Sequence, residues 1–508
     1  MYRKLAAICL VLILTLCVAI VPTSAASEQQ KLTASDGAAY DYFGLSVSIS
    51  GSIALIGDPA DESNAGSAYV FRYDGSAWVE EQKLTASDGV VFDWFGDSVS
   101  IDGSVALIGA PGDRDDYAGS AYVFRYDGST WVEEQRLAAS DGAAYDWFGE
   151  SVSISNNTAL IGASNNGYTG SAYVFRYEGS TWVEEQKLKA SDGVGLDMFG
   201  CSVSLSGSAA LIGAPYSNEY AGSAYVFRYD GSTWEEERKL TASDGAAWDW
   251  FGESLSLSSG AALVGALADE EGKGSAYVFR YDGSTWEEEQ KLTASDGTTF
   301  AHFGESLSLS GDTALIGAPY SDSGVGSAHV FTYDGSAWVE GQKLTAGNGA
   351  TGDQFGDSVS LSGNTALVGA PYSDNYTGSA YVFSLDYAVI PVNIDIRPRN
   401  AINTINMKSQ GVIPVAILGS ETFDVRDIDV ATIVFGPSNA RPVDDLTDPI
   451  MYADHLQDVN KDGYTDLIVH FRTQETGLTN IDTTAELHAA IDSVTGIVGS
   501  DSVKVKNG

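Results

Sequence analysis

One repeat unit consists of the segments FGESVSIS (148–155), TALIGAS (158–164), GSAYVFRY (170–177) and TWVEEQKL (181–188). Serine alternates with β-branched residues in the first segment, and the third is rich in β-forming residues, so each segment predicts one strand. The Phe-Gly dipeptide recurs at intervals of 51 to 53 residues, with its glycine at Gly44, Gly96, Gly149, Gly200, Gly252, Gly304 and Gly356. The sequence therefore predicts seven units of four strands each.

Side-chain size increases along the four segments, from Ser and Val, through Ala, Leu and Gly, to Tyr and Phe, and finally to Trp. Strands near the axis of a ring are crowded, whereas outer strands diverge, so this order predicts blades around a common axis. A stacked solenoid is the competing architecture, but it gives no reason for the gradient and needs distinct capping units.

The end of the repeat indicates how the ring closes. Six units contain a fourth strand with tryptophan, whereas the seventh ends after YVFSLDY (381–387). The segment EQQKL, Glu28 to Leu32, copies the end of that missing strand. We therefore predict an all-β, seven-bladed propeller whose seventh blade is completed by the N-terminal strand. The charged residues of the fourth strand, such as Glu80, Glu81 and Lys83, are interpreted as protection of an exposed edge.

These motifs, with Gly-Ala-Pro or a close variant about a dozen residues after each Phe-Gly, resemble the FG-GAP repeat family over about residues 28–387. The resemblance implies a seven-bladed β-propeller like the head of integrin α subunits, typically extracellular and used for adhesion or ligand binding. The chain departs from the integrin pattern because no blade carries an Asp-x-Asp-x-Asp-Gly calcium loop. Gly-Ala-Pro also varies, for example in Gly57-Asp58-Pro59.

Composition restricts the partners and the location. Asp and Glu total 69 against 27 Lys and Arg, a formal charge of −42, so nucleic acid is not an expected partner. Residues 1–26 have a basic start, an apolar run and small residues at the end, which predicts a secretory signal peptide; an uncleaved anchor helix is the alternative. No second long apolar stretch occurs, so we expect no membrane span in the mature chain. The predicted location is secreted, extracellular or at the cell surface.

The long loops are predicted to share one face of the propeller, which becomes the candidate for ligand binding. They contain 24 carboxylates against Arg114 and Lys273 alone, interleaved with aromatic residues. This combination suits sugars, cationic peptides or divalent cations, and we expect an extracellular glycan or protein ligand. The alternative is structural, because an aspartate two residues before each Phe-Gly can cap its own loop. The predicted ligand-binding residues are Tyr42, Trp94, Trp147, Trp250 and His302.

No constellation typical of an enzyme emerges from the sequence. The five histidines show no spacing for metal binding or acid/base chemistry, and Cys201 lacks a recognisable partner, so we expect a non-catalytic binding or adhesion protein. The alternatives are a structural component of a cell envelope and a carbohydrate-active propeller enzyme.

Repeat similarity ends near Tyr387, which places the propeller at residues 27–387 and a second domain at 388–508. Short β runs between turns predict a small β-sandwich there. The segments VNIDIRP (392–398), INMKSQGVIPVAILGS (405–420) and HLQDVNKDGYTDLIVHFRTQETG (455–477) resemble a β-module found at the C-termini of secreted archaeal and bacterial proteins. Oxygen ligands at loop positions 1, 3, 5 and 9, with glycine at 6, match a calcium loop and resemble those of dockerin and integrin repeats; a plain Asx-rich turn is the alternative. The predicted cofactor is calcium, held by Asp458, Asn460, Asp462, Tyr464 and Asp466.

Overall fold

The computed structural model describes residues 26–508 except 259, 386–387, 399–402, 421, 438–439, 445, 447–451, 454, 480–481, 492–494 and 507–508. The predicted signal peptide, apart from Ala26, therefore lies outside the described residues. Contacts divide the chain into two compact units, one containing Ala25–Asp386 and the other containing Tyr387–Ala489 and Thr495–Gly508.

The first unit consists of seven four-stranded antiparallel sheets, the predicted blades, in each of which the strands pair in the order one to four. Blade 1 comprises Val47–Ser50, Ile53–Asp58, Ser67–Tyr73 and Trp78–Leu84. Blade 2 comprises Val99–Asp102, Val105–Ala110, Ser120–Tyr126 and Trp131–Leu137. Blade 3 comprises Val152–Ser155, Thr158–Ala163, Ser171–Tyr177 and Trp182–Leu188. Blades 4 and 5 comprise Val203–Ser206, Ala209–Ala214, Ser223–Tyr229 and Trp234–Leu240; and Phe251–Ser258, Ala261–Ala266, Ser275–Tyr281 and Trp286–Leu292. Blade 6 comprises Leu307–Ser310, Thr313–Ala318, Ser327–Tyr333 and Trp338–Leu344. Blade 7 comprises Val359–Ser362, Thr365–Ala370, Ser379–Ser384 and the N-terminal strand Ser27–Leu32.

The predicted closure is confirmed. The strand Ser27–Leu32 pairs antiparallel with Ser379–Ser384, with Leu32 opposite Ala380. Leu32 is 1% exposed and lies in one apolar cluster with residues of blades 1 and 7. The two ends of the repeat therefore share a core, and the ring is closed without an unpaired third strand in blade 7.

The Phe-Gly dipeptide of each blade packs closely against the backbone of the preceding blade. Phe43 is fully buried and packs edge-on against Tyr69 and Phe71 of its own blade, with ring centroids 5.5 and 6.1 Å apart. Gly44 has φ +92°, and a Cβ there would lie 2.5 Å from the carbonyl oxygen of Ser379 in blade 7. Only glycine permits this approach, which explains why the dipeptide recurs in every blade.

Serines of the first strands tie all seven blades together around the axis. The Oγ of Ser46 donates a hydrogen bond of 2.8 Å to the carbonyl oxygen of Gly96 in the next blade, and Ser358 does the same to Gly44, so the set closes on itself. The five intervening bonds join Ser98 to Gly149, Ser151 to Gly200, Ser202 to Gly252, Ser254 to Gly304 and Ser306 to Gly356. Small side chains are thus required at the axis for hydrogen bonding as well as for space.

The second unit is also built from β-strands. They form two four-stranded sheets, one containing Ala388–Pro391, Thr495–Ser502, Thr484–Ala490 and Asp429–Phe435 and the other Ile394–Ile396, Val412–Ile417, Asp466–Arg472 and Leu456–Gln457; Thr404–Asn406 pairs with Lys504–Lys506. Phe435 of the first sheet stacks on Phe471 of the second, with centroids 5.0 Å apart, as expected for facing layers of a sandwich. Single helical turns occur at Val425–Asp427 and Thr473–Glu475. Among the residues described, no helix combines the length and apolar character needed to cross a membrane.

Candidate functional site

Two sets of loops form one face of the propeller, which we call the loop face. The turn loops join strands two and three of each blade and contain the single turns Asp61–Asn64, Asp113–Tyr117, Asn166–Tyr168, Ser217–Tyr220, Asp269–Gly272, Ser321–Gly324 and Ser373–Tyr376. The leading loops precede each Phe-Gly and span 33–42, 85–94, 138–147, 189–198, 241–250, 293–302 and 345–354.

An aspartate two residues before Phe-Gly holds most leading loops in shape. Asp146 Oδ2 accepts a hydrogen bond from the backbone N–H of Ala143 at 2.8 Å, and the side chain is 4% exposed. The same bond is formed by Asp41, Asp93, Asp197, Asp249 and Asp353. The structural interpretation of these aspartates therefore holds.

The loop face is less negative than the loop sequences predict. Lys83, from the fourth strand of blade 1, lies 2.8 Å from Asp36 and 2.6 Å from Asp61, and the Tyr69 hydroxyl also donates to Asp36. The Lys83 ammonium and the Tyr69 hydroxyl hold the pKa of Asp36 below its usual value. The equivalent basic residues of other blades also pair with aspartates of these loops: Lys31–Asp374, Arg136–Asp88, Lys187–Asp141, Lys239–Asp192, Lys291–Asp244 and Lys343–Asp296. Counting Arg114 and Lys273 as the only cations was wrong, because Lys189 also lies in a leading loop and basic residues of the fourth strands reach this face.

The five residues predicted to bind ligand all lie on the loop face, each directly before Phe-Gly and each only partly exposed. Their backbones are left-handed, with φ between 53° and 64°. Most of them pack against tyrosines of the turn loops: Tyr42 on Tyr372, Trp94 on Tyr117, Trp250 on Tyr216 and His302 on Tyr320. The structure brings Tyr42, Trp94, Trp147, Trp250 and His302 to one face, and their role in ligand binding stays a prediction.

A different set of aromatic residues is presented to solvent. Two positions earlier in the leading loops, side chains are 53 to 67% exposed: Tyr40, Phe92, Tyr145, Trp248 and Phe300. Three of them stack on a tyrosine of the preceding blade's turn loop, the closest pair being Trp248 on Tyr220 with centroids 4.2 Å apart and an interplanar angle of 6°. The other two stacks are Tyr40 on Tyr376 and Tyr145 on Tyr117. The sequence predicts aromatic residues in these loops, but alternation alone does not say which of two neighbouring aromatic residues faces outward.

Carboxyl groups also gather near the ring axis, at the residue after Phe-Gly. Burial raises the pKa of Asp97 to about 6, of Glu150 and Glu253 to about 7, and of Asp357 to about 8. These side chains keep partial exposure, but the surrounding blades limit their solvation. His302 Nδ1 lies 3.0 Å from Glu305 Oε2 in the same ring. Burial therefore holds the pKa values of these carboxyls well above those of exposed carboxyls.

In the second unit, the predicted calcium loop is a compact turn. The carboxylate of Asp458 accepts the N–H of Gly463 at 3.1 Å, and that of Asp462 accepts the N–H of Tyr464 at 2.9 Å. Asp466 is fully buried and accepts the N–H groups of Gly419 and Val459. The side chains of Asp458, Asn460, Asp462 and Tyr464 are exposed.

Two histidines converge with an aspartate in the same unit. Ligand atoms of Asp444, His455 and His470 lie within 4.8 Å of one another, a donor set of the type that binds Zn²⁺. His470 Nδ1 lies 2.9 Å from Asp444 Oδ2, and His455 Nδ1 lies 2.7 Å from the carbonyl oxygen of Ile468. Strand pairing, not spacing along the chain, brings these three residues together, so the sequence pattern did not predict the group.

A sequence profile described as FG-GAP repeat matches residues 26–71, 78–124, 131–175, 182–227, 234–279, 286–331 and 338–383, together more than half of the chain. Each match runs from a fourth strand through the third strand of the next blade. The resemblance of the Phe-Gly motifs is thereby confirmed.

Proposed function

The chain belongs to the FG-GAP repeat family, and from that premise we propose a secreted or cell-surface protein that binds or adheres without catalysis. FG-GAP repeats are typical of binding and adhesion propellers. The proposed ligand is an extracellular glycan or protein, and the proposed binding surface is the loop face.

The observation that carries this proposal is the row of exposed aromatic stacks between adjacent blades. Isolated exposed apolar residues are ordinary on protein surfaces, but planar rings held in pairs at three blade junctions form a recurring, rigid surface. Aromatic rings bind with little loss of side-chain entropy and offer an apolar face to sugar rings or peptide side chains. Paired aspartates and lysines beside them supply hydrogen-bonding groups.

The carboxyls with raised pKa values near the axis are the observation that favours a carbohydrate-active enzyme as the second candidate. Glycoside hydrolysis needs two carboxyls with different roles. Here the groups occupy the same position in four blades, which a structural ring around the axis also produces. Binding remains the proposed function.

A binding array tests the proposal and separates the two aromatic sets. We expect the purified full chain to bind members of a glycan and peptide array, and replacement of Tyr40, Tyr145 and Trp248 together by Ala to lower that binding at least about tenfold, since buried aromatic contacts dominate recognition. Replacing Trp94, Trp147 and Trp250 by Ala tests, on the same array, the ligand-binding residues that were predicted from the sequence. Tyr73→Ala, an exposed tyrosine at the end of a third strand and 38% exposed, is the matched control. An array without any ligand for the wild-type chain would count against the proposal.

We further propose that the loop Asp458–Asp466 binds calcium. Asp458, Asn460 and Asp462 present three oxygen-bearing side chains on one tight turn, and Gly463 has φ +94°, as the sharp bend of such loops requires. The negative charges of Asp458 and Asp462 lie on the same turn and favour a cation between them. Because the next residues form the strand Asp466–Arg472, ordering this loop would also anchor that strand.

Hydrogen exchange of the full chain measures this link. With calcium present rather than a chelator, we expect slower amide exchange in residues 466–472, because ligand binding to the folded loop opposes local opening. Asp462→Ala should remove the calcium effect, and Asp427→Ala, on a separate turn of the same unit, should retain it. If calcium changes exchange equally in wild type and Asp462→Ala, the loop is only an Asx-rich turn.

A further inference from the structure

We propose that a pocket on the loop face between blades 6 and 7 is a saccharide-binding site. The proposal rests on the binding function proposed above and names the ligand class and position. Several residues of its lining differ from the repeat, and the pocket holds about 700 Å³, within the range of ~300–1,000 Å³ usual for small-molecule sites.

The pocket exists because two bulky side chains of the repeat are absent at this junction. Each blade junction on this face places the end of a turn loop beside a leading loop. The pairs from junction 1/2 to junction 7/1 are Asn64 with Phe92, Tyr117 with Tyr145, Tyr168 with Leu196, Tyr220 with Trp248, Gly272 with Phe300, Gly324 with Gly352, and Tyr376 with Tyr40. Only junction 6/7 has glycine on both sides, so no side chain fills the space that a stacked pair occupies elsewhere.

Backbone geometry shows that these glycines keep the form of the repeat. Gly352 has φ +91° and Gly324 has φ +80°, the left-handed region in which the equivalent Trp248 and Tyr220 also lie, at 75° and 68°. The Gly352 N–H donates a hydrogen bond of 3.0 Å to the carbonyl oxygen of Gly324. The loops therefore follow the same path, and the difference is the missing side chains.

Two aromatic rings remain as walls of the pocket. Phe300 is 67% exposed and Tyr320 is 40% exposed. The two come from the leading and turn loops of blade 6, and both line the cavity. Such rings offer the flat apolar surfaces on which the C–H face of a pyranose can lie.

The remaining lining is polar and of mixed hydrogen-bonding type. Thr298 and Thr299 replace the small apolar residues that other leading loops carry, such as Ala246 and Ala247. Gln354 stands where five of the other six blades have an aromatic residue, and its Oε1 is buried without a hydrogen-bond partner among the described residues. Leaving such an acceptor unpaired costs free energy, which a hydrogen-bond donor of a bound ligand would offset.

Charge and chemistry favour a neutral saccharide over a peptide or an ionic ligand. Asp322, the acidic residue of the lining, is paired with Lys343 at 3.2 Å, so it does not present an isolated charge. The threonine, serine and amide groups of the lining both donate and accept hydrogen bonds. The hydroxyl groups of a saccharide can do the same, so the two sets of groups are complementary. A pyranose carries such hydroxyls around an apolar face, the combination that this pocket presents.

Filling the pocket tests the proposal. Saturation-transfer NMR of the purified full chain would use a panel of methyl glycosides of hexoses, deoxyhexoses and N-acetylhexosamines, with their disaccharides, as probes. We expect at least one probe to bind the wild type and Gly352→Tyr, which restores the side chain of the repeat, to weaken binding at least about tenfold. Gly352→Ala imposes the same backbone demand without filling the space, since an added Cβ meets no atom within 4 Å, and should bind within about threefold of wild type.

The outcomes distinguish this site from the general function. Equal binding of a saccharide by wild type and Gly352→Tyr, with unchanged melting curves, would move the saccharide site elsewhere on the loop face. Binding of array peptides but of no saccharide would overturn the ligand class and leave the binding function intact. Loss of binding in both Gly352→Ala and Gly352→Tyr would show that the backbone, not the open volume, is what matters, and would also overturn the proposal.

Discussion

Deletion of Glu28–Leu32 should destabilise the entire propeller by roughly 5 kcal/mol or more. Burial of the Leu32 side chain contributes about 2 kcal/mol, and each lost ladder hydrogen bond contributes about 1 kcal/mol. Gln30 adds a paired contact across the closure, accepting from the Trp78 backbone N–H at 2.8 Å and donating to its carbonyl oxygen at 2.7 Å. Differential scanning calorimetry at a fixed scan rate measures the fall in Tm.

Two comparisons make this prediction specific to ring closure. Gln82 forms the same paired contact with Trp131 inside the ring, so Gln30→Ala and Gln82→Ala should lower Tm by similar amounts. A synthetic peptide covering Ser27–Leu32 should also raise the Tm of the deleted protein, because it can pair with the exposed edge of Ser379–Ser384. An unchanged melting curve after deletion would show that the ring closes in another way.

The repeat made the architecture predictable because its constraints act at short range. Glycine after Phe43 is required by a backbone approach that every blade repeats, and the small first strands and large last strands follow from the geometry of a ring. The N-terminal copy of the fourth strand was recognisable because EQQKL matches VEEQKL almost letter for letter. Each of these features can be compared between units without knowing any long-range contact.

Contacts between blades were not predictable from one unit alone. The fourth-strand acids were interpreted as protection of an exposed edge, but the structure gives them partners in neighbouring segments. Glu133 accepts hydrogen bonds from the backbone and side chain of Ser87, and Glu81 pairs with Arg72 at 2.9 Å while accepting from the Trp131 indole N–H. The sequence shows the charge pattern but not which neighbour each charge reaches.

The sequence predicted which loops share one face, but it did not show which of their residues are presented to solvent. Tyr40 and Tyr42 are both aromatic and both have left-handed backbones, yet Tyr40 is 59% exposed whereas Tyr42 packs beneath the turn loops. The pocket at Gly324 and Gly352 depends on residues 28 positions apart that face each other across a junction. Aligning the repeats shows that Gly324 and Gly352 differ from the equivalent residues of other blades, but only the fold shows that these two positions face each other.

Asp58 is the exception to the repeat with the largest expected energetic effect. It is fully buried, and neither carboxyl oxygen has a hydrogen-bond partner among the described residues. The same position holds alanine in the other blades: Ala110, Ala163, Ala214, Ala266, Ala318 and Ala370. Burial, with smaller contributions from Asp41 and Asp61, raises the pKa of Asp58 to about 9.

This pKa makes stability depend on pH in a defined direction. The carboxyl of Asp58 titrates near 3.8 in the unfolded chain and near 9 in the folded one, so between these values the unfolded state binds fewer protons. Stability is therefore lost as the pH rises through this window. At pH 7 the cost is about 4 kcal/mol, from roughly three pH units at about 1.4 kcal/mol each.

Asp58→Ala should therefore stabilise the propeller. Subtracting about 1 kcal/mol for the void left by the carboxyl, we expect a net gain of about 3 kcal/mol at pH 7, smaller at pH 5 and larger at pH 8.5. The measurement is Tm by calorimetry for wild type and variant across this pH range. Ala110→Asp, in the equivalent site of blade 2, is the matched control and should lower Tm with the same pH dependence. A Tm difference that does not change with pH would show that Asp58 is charged and compensated in the folded protein.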